Sequence, residues 1–200
     1  MTHTTQYIQD SINILEQIDP DVLEQMIQLV LDTREKKGRI FFIGVGGGAG
    51  HAGHAVCDFR KLAQIECYSP SDNHSELTAR INDEGWDTVY SEWLKISKIN
   101  KNDLVFVFSV GGGDEEKQIS MNLVRAVQLA KEVGASVTGV LGRGNGYTAK
   151  VANACLVVPE VNSKTLTTQS ESFQAWAWHL IICDPRVQQV GMKWETSLSK

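Results

Sequence analysis

Four side chains have types and spacing suited to metal binding or proton transfer: His54 and Asp58, four residues apart, and Glu171 and His179, eight apart. On a helix, His54 and Asp58 are neighbours on one face, and His51 lies on nearly the same face. Glu171 and His179 on a second helix would differ in direction by roughly 80°. Two imidazoles and two carboxylates form a plausible donor set for zinc or another divalent ion. Each residue also has an ordinary structural reading. His179, flanked by Trp176, Trp178 and Leu180, has the surroundings of a core histidine, and His54 with Asp58 could be a surface pair.

Glycine loops supply the second signal. GVGGGAG spans 44–50, VGGGD spans 110–114 and GRGNG spans 142–146, each after a strand-like apolar run. Glycine lets backbone N–H groups approach an anion with no Cβ in the way. A helix opening after the loop adds oriented donors and a favourable dipole. One such loop is often only a turn. Three at successive strand ends point to a ligand at the carboxyl edge of a parallel sheet. Gly46, Gly47 and Gly48, then Ser109, Gly111, Gly112 and Gly113, are the candidate substrate contacts. The first loop also fits G-x-G-x-x-G/A with Glu66 downstream, so a Rossmann-type dinucleotide enzyme is an alternative. Against it, Glu66 falls inside its strand, and a second triple glycine has no place in that fingerprint.

The elements that position these groups follow from periodicity. Apolar residues at helical spacing from Gln6 to Lys36 predict two helices parted at Pro20, with Asp19 as a cap. RIFFIGV, IECYS, LVFVFSV, SVTGVLG and CLVVPEV read as strands. Helices are predicted from about Gly50 to Leu62, after a capping box at Asn73 and Glu76, over Trp86–Ile96, Glu115–Val133 and Glu171–Ile182, the last stopped by Pro185. The alternation predicts an α/β fold, a three-layer, mostly parallel, doubly wound sheet with an N-terminal helical extension. We read one domain: N-terminal helices over 1–37, the α/β core over 38–185 and a tail over 186–200.

Bulk properties narrow the function classes. The chain has 200 residues, 42% of them hydrophobic, enough for one full core. A net charge of −5 argues against a nucleic-acid partner. Cys57, Cys67, Cys155 and Cys183 show no CxxC spacing and read as buried free thiols of a reducing compartment. With no leader-like N-terminus and no run long enough to span a bilayer, a cytoplasmic location without membrane association is expected.

Together, strand–G-x-G-G with His54-x-x-x-Asp58, then strand–Ser109-x-Gly-Gly, then a last helix with Glu171 and His179, resemble the sugar isomerase (SIS) domain. Within it they are similar to the phosphoheptose isomerases, which convert sedoheptulose 7-phosphate to D-glycero-D-manno-heptose 7-phosphate. The resemblance covers nearly the whole chain and implies a homotetramer with sites at subunit interfaces. It also implies zinc on His54, Asp58, Glu171 and His179, and an acid–base pair of Asp58 and His179. Asn82 and Asp83 match a sugar-contacting Asn-Asp pair, although capping and turn formation explain them equally well. Such residues suit an isomerisation through an enediol, which needs a base and a carbonyl-polarising group.

The chain departs from that pattern. Gly48 stands where the family has serine, and Ser109-Val-Gly-Gly-Gly-Asp114 replaces a loop rich in hydroxyls that grip phosphate. Asp58 is shorter than the family's glutamate, and Glu171 replaces a neutral glutamine. Asp114, Glu115 and Glu116 are expected to begin the helix that receives the anion, with Gly111–Gly113 amides and Arg143 compensating. A non-catalytic SIS domain that binds a sugar phosphate is the other reading these departures allow.

Overall fold

The computed structural model describes residues 1–191, so the last nine positions of the 186–200 tail lie outside the described residues. Helices α1 (His3–Gln17) and α2 (Pro20–Glu35) come first, and Asp19 caps α2 by accepting from the Asp21 N–H at 3.0 Å. Five strands follow: β1 (Ile40–Gly44), β2 (Cys67–Tyr68), β3 (Leu104–Ser109), β4 (Ser136–Leu141) and β5 (Ala154–Val157). They pair in parallel in the order β2-β1-β3-β4-β5. This is flavodoxin-type winding, with its switch point between β1 and β3, and not the 3-2-1-4-5 order of dinucleotide-binding folds. Among the described residues, no helix is long and apolar enough to cross a membrane.

Strand side chains alternate between two cores, as a pleated sheet buried on both faces requires. Ile40, Phe42, Phe106 and Phe108 face a core closed by α1, α2, α3 (Gly47–Asp58) and α8 (Leu166–Cys183). Phe41, Ile43, Val105 and Val107 face the other. That core is closed by α4 (His74–Glu84), α5 (Val89–Ile96), α6 (Met121–Glu132) and the short α7 (Tyr147–Val151). Helices α3 and α8, which carry the candidate histidines, therefore pack on the same sheet face. α2 buries Leu23, Met26, Ile27 and Val30, whereas α1 leaves Ile8, Ile12 and Leu15 exposed at 56%, 42% and 45%.

Several boundaries differ from the sequence reading. The predicted helix over Glu115–Val133 begins only at Met121. Asp114 and Ile119 exchange backbone hydrogen bonds at 2.9 Å, and Gln118 and Ser120 have φ of 55° and 50°, a conformation through which a right-handed helix cannot pass. Asp114–Glu116 thus form a loop and no helix start. Helix α3 opens at Gly47, earlier than Gly50, and α8 opens at Leu166, ahead of Glu171. The Asn73 side chain caps α4 through the Glu76 N–H at 3.3 Å. Cys57 and Cys183 are exposed, contrary to the expectation of buried thiols, because both fall on solvent-facing positions of α3 and α8.

Candidate active site

The first glycine loop turns β1 into α3 through Gly46, whose φ of 58° is readily adopted only by glycine. A Cβ on Gly48 would lie 2.4 Å from the Phe108 carbonyl oxygen of β3, and one on Gly47 would lie 2.7 Å from the Glu171 carboxyl carbon of α8. The triple glycine lets α3 start hard against β3 and α8. Tyr90 of α5 holds the loop's entry, its buried hydroxyl donating to the Gly44 carbonyl at 2.6 Å. Burial pushes that phenol up to about 12, so it stays a donor throughout the neutral range. Tyr90→Phe leaves a buried carbonyl unpaired and is expected to cost about 1–2 kcal/mol in urea denaturation.

On α3, the i,i+4 spacing brings His54 Nε2 to 3.6 Å from Asp58 Oδ2, with the His54 side chain 58% exposed and that of Asp58 3%. His179 of α8 closes the group, and donor atoms of His54, Asp58 and His179 all lie within 4.8 Å of one another. Nδ1 of His179 sits 2.8 Å from the Ala175 carbonyl. A carbonyl only accepts, so Nδ1 carries the hydrogen and the Nε2 lone pair is left for the site. Trp178, fully buried, meets the His54 ring edge-on at 4.7 Å and stacks on His179 at 3.5 Å. Both imidazoles are thereby fixed in orientation.

The residues fit a metal. Asp58 Oδ2 is buried and has no hydrogen-bond partner, which is costly unless a cation or a substrate proton meets it. Ligands about 2.1 Å from zinc stand about 3.4 Å apart, so three donors lying within 4.8 Å of one another need to close by about 1.4 Å at most. Glu171 lies outside this trio, its carboxylate against Gly47. Half-buried His51 faces it; burial pushes the His51 imidazole below its ordinary value, and the Glu171 charge opposes that.

The second glycine loop is tied down from both sides. Ser109 Oγ accepts from the Gly112 N–H at 3.0 Å. The Gly113 carbonyl accepts from the Tyr147 N–H at 2.7 Å. The Gly112 carbonyl accepts from the N–H and hydroxyl of Thr148 at 3.0 and 2.8 Å. Asp114 folds back on its own turn, accepting from the Lys117 N–H at 3.0 Å with the Lys117 ammonium 3.4 Å away. The backbone donor above all holds its carboxyl below the usual range. Asn82 and Asp83 sit exposed at the end of α4, paired with each other at 2.7 Å. Sequence reasoning missed Tyr90 and Thr148. Only the short helix after the third glycine loop could have drawn attention to Thr148.

A family model described as SIS domain matches residues 6–142. The lincomycin biosynthesis protein LmbN of Streptomyces lincolnensis is 30% identical over 184 residues, 87% of this chain, and the chain spans 65% of that protein's length. The phosphoheptose isomerase of Akkermansia muciniphila is 30% identical over 159 residues, 76% of this chain and 79% of that one. That of Rhodospirillum rubrum is 30% identical over 149 residues, 72% and 73% of the two chains. Among solved structures, the phosphoheptose isomerase of Neisseria gonorrhoeae superposes with a TM-score of 0.77 at 23% identity, over 90% of this chain and 94% of that one. With its strand order, its glycine loops and its histidine–carboxylate pairing on α3, the chain belongs to the SIS domain family, and phosphoheptose isomerases are among its relatives.

Proposed function

We propose that the protein is an aldose–ketose isomerase that converts sedoheptulose 7-phosphate to D-glycero-D-manno-heptose 7-phosphate. The observation that carries this reading is the Asp58 carboxylate, buried with an unpartnered oxygen beside two oriented imidazoles. In the proposal Asp58 moves the proton between neighbouring carbons, because its oxygen has no hydrogen bond to give up first. Released from an ion, His179 Nε2 would move the proton between the adjacent hydroxyl and carbonyl oxygens, with Nδ1 anchored throughout on Ala175; its one lone pair serves either the ion or the proton, not both at once. His54, Asp58 and His179 would hold zinc, with Glu171 as the proposed fourth donor. Bound there, the ion would polarise the carbonyl and ease the developing enediolate charge. The exposed Ile8, Ile12 and Leu15 of α1 support association of copies, and the proposal includes a homotetramer with sites at subunit interfaces.

Dialysis against a strong chelator is expected to abolish conversion of sedoheptulose 7-phosphate, and zinc add-back to restore it. Full conversion by protein shown by mass spectrometry to contain no metal would rule the metal assignment out. His54→Ala is expected to weaken zinc binding, read by calorimetry, by at least about tenfold.

A further inference from the structure

The substrate's phosphate needs a counter-charge, and the second glycine loop, with one serine left, offers few donors. Between that loop and the loop after β4 lies a cleft of about 230 Å³, lined by Gly111, Gly113, Asp114, Lys117 and Arg143 among others. Its ionisable groups are two cations and one carboxylate. Asp114 is turned onto the Lys117 backbone and ammonium, so this pair largely cancels. Arg143 is exposed and has no hydrogen bond or ion pair among the described residues. Glu160 lines the neighbouring cleft with Arg143 but does not pair with it. An uncommitted guanidinium is the group best suited to grip a phosphate with two parallel N–H donors.

The loop after β4 shapes this cleft as well as charging it. Tyr147 and Thr148 hold the Gly113 and Gly112 carbonyls through three hydrogen bonds of 2.7–3.0 Å. These bonds turn the carbonyls of the second loop toward α7. At the other end of the same loop, a Cβ on Gly142 would lie 3.1 Å from Val110 Cγ1 and 2.3 Å from Ser170 Oγ, the neighbour of Glu171. The anchor is thus built on the frame that carries α8 and the candidate metal residues.

We propose that the loop after β4 is the anion anchor of this protein, with Arg143 pairing to a phosphate monoester dianion and Thr148 positioning the glycine loop opposite. Its role in turnover rests on the isomerase reading; its affinity for phosphate does not. The test measures orthophosphate binding by calorimetry and steady-state kinetics with sedoheptulose 7-phosphate, on wild type, Arg143→Met, Arg143→Lys and Thr148→Val. Arg143→Met is expected to weaken orthophosphate binding about tenfold or more. It should raise KM by a similar factor with a much smaller effect on kcat, the signature of lost uniform binding. Arg143→Lys should recover part of both. Orthophosphate should compete with the ketose in wild type and far less in Arg143→Met, which ties the sugar's phosphate and the free ion to one site. Arg143 has no partner to lose, so the melting temperature of Arg143→Met without phosphate should match wild type. Thr148→Val should weaken phosphate binding even where it remains folded. Phosphate binding and KM in Arg143→Met equal to wild type would overturn the anchor. Arg143-dependent phosphate binding without isomerisation by wild type would uphold the anchor and sink the isomerase reading.

Discussion

Asp58→Asn is expected to lower kcat/KM by about a thousandfold or more while leaving the melting temperature unchanged or higher. Loss of a positioned general base typically costs two to four orders of magnitude, and here the same carboxylate is also a proposed zinc donor. Stability should move the other way. A buried carboxylate oxygen without a hydrogen-bond partner opposes folding, and a neutral amide of the same shape relieves that cost. The comparison is made on metal-free protein by calorimetric melting and on zinc-loaded protein by kinetics. A residue kept for structure alone would show the reverse pattern, with a lower melting temperature and near-normal turnover in whatever protein stayed folded.

Gly48→Ser carries the second large effect. A serine cannot simply be introduced here, because a Cβ at Gly48 would stand 2.4 Å from the Phe108 carbonyl oxygen, a backbone atom that cannot rotate away. Separating α3 from β3 is expected to cost about 3 kcal/mol. For a chain of this size that lowers the melting temperature by roughly 6–12 °C. Gly50→Ala is the control. It lies in the same helix with open space around its Cβ position and is expected to be neutral or slightly stabilising. Similar losses for both variants would mean that glycine is needed throughout this turn for some reason other than the approach to β3.

Much of this was legible in the sequence, for identifiable physical reasons. Buried parallel strands such as LVFVFSV are near-continuous apolar runs, so all five strands were found, though IECYS shrank to the two residues that pair with β1. His54 and Asp58 were legible as a pair because i,i+4 spacing is a property of the helix alone. That His179 joins them depends on α3 and α8 lying on one sheet face, which the chain order suggests and only packing decides. Glu171 was grouped with them by spacing, yet its carboxylate lies over Gly47, a close approach no helical wheel reports. The start of α6 was misplaced because Glu115–Ser120 has helix-forming composition; left-handed backbone at Gln118 and Ser120 overrides it. Tyr90 and Thr148 act through backbone carbonyls of distant loops, and such contacts leave no pattern in the chain.

In the proposed reaction this site moves a proton between the carbonyl carbon of a sugar and the hydroxyl-bearing carbon beside it. Deuterium wash-in tests it most directly. Protein and sedoheptulose 7-phosphate are incubated in D₂O, before and after chelation and with zinc restored, and the sugar is followed by NMR. Deuterium is expected at the carbon next to the carbonyl together with a new aldose, both lost on chelation and in Asp58→Asn, and the loss on chelation reversed by zinc. A folded, zinc-loaded protein that binds the sugar phosphate yet gives neither deuterium nor aldose would contradict the proposed reaction.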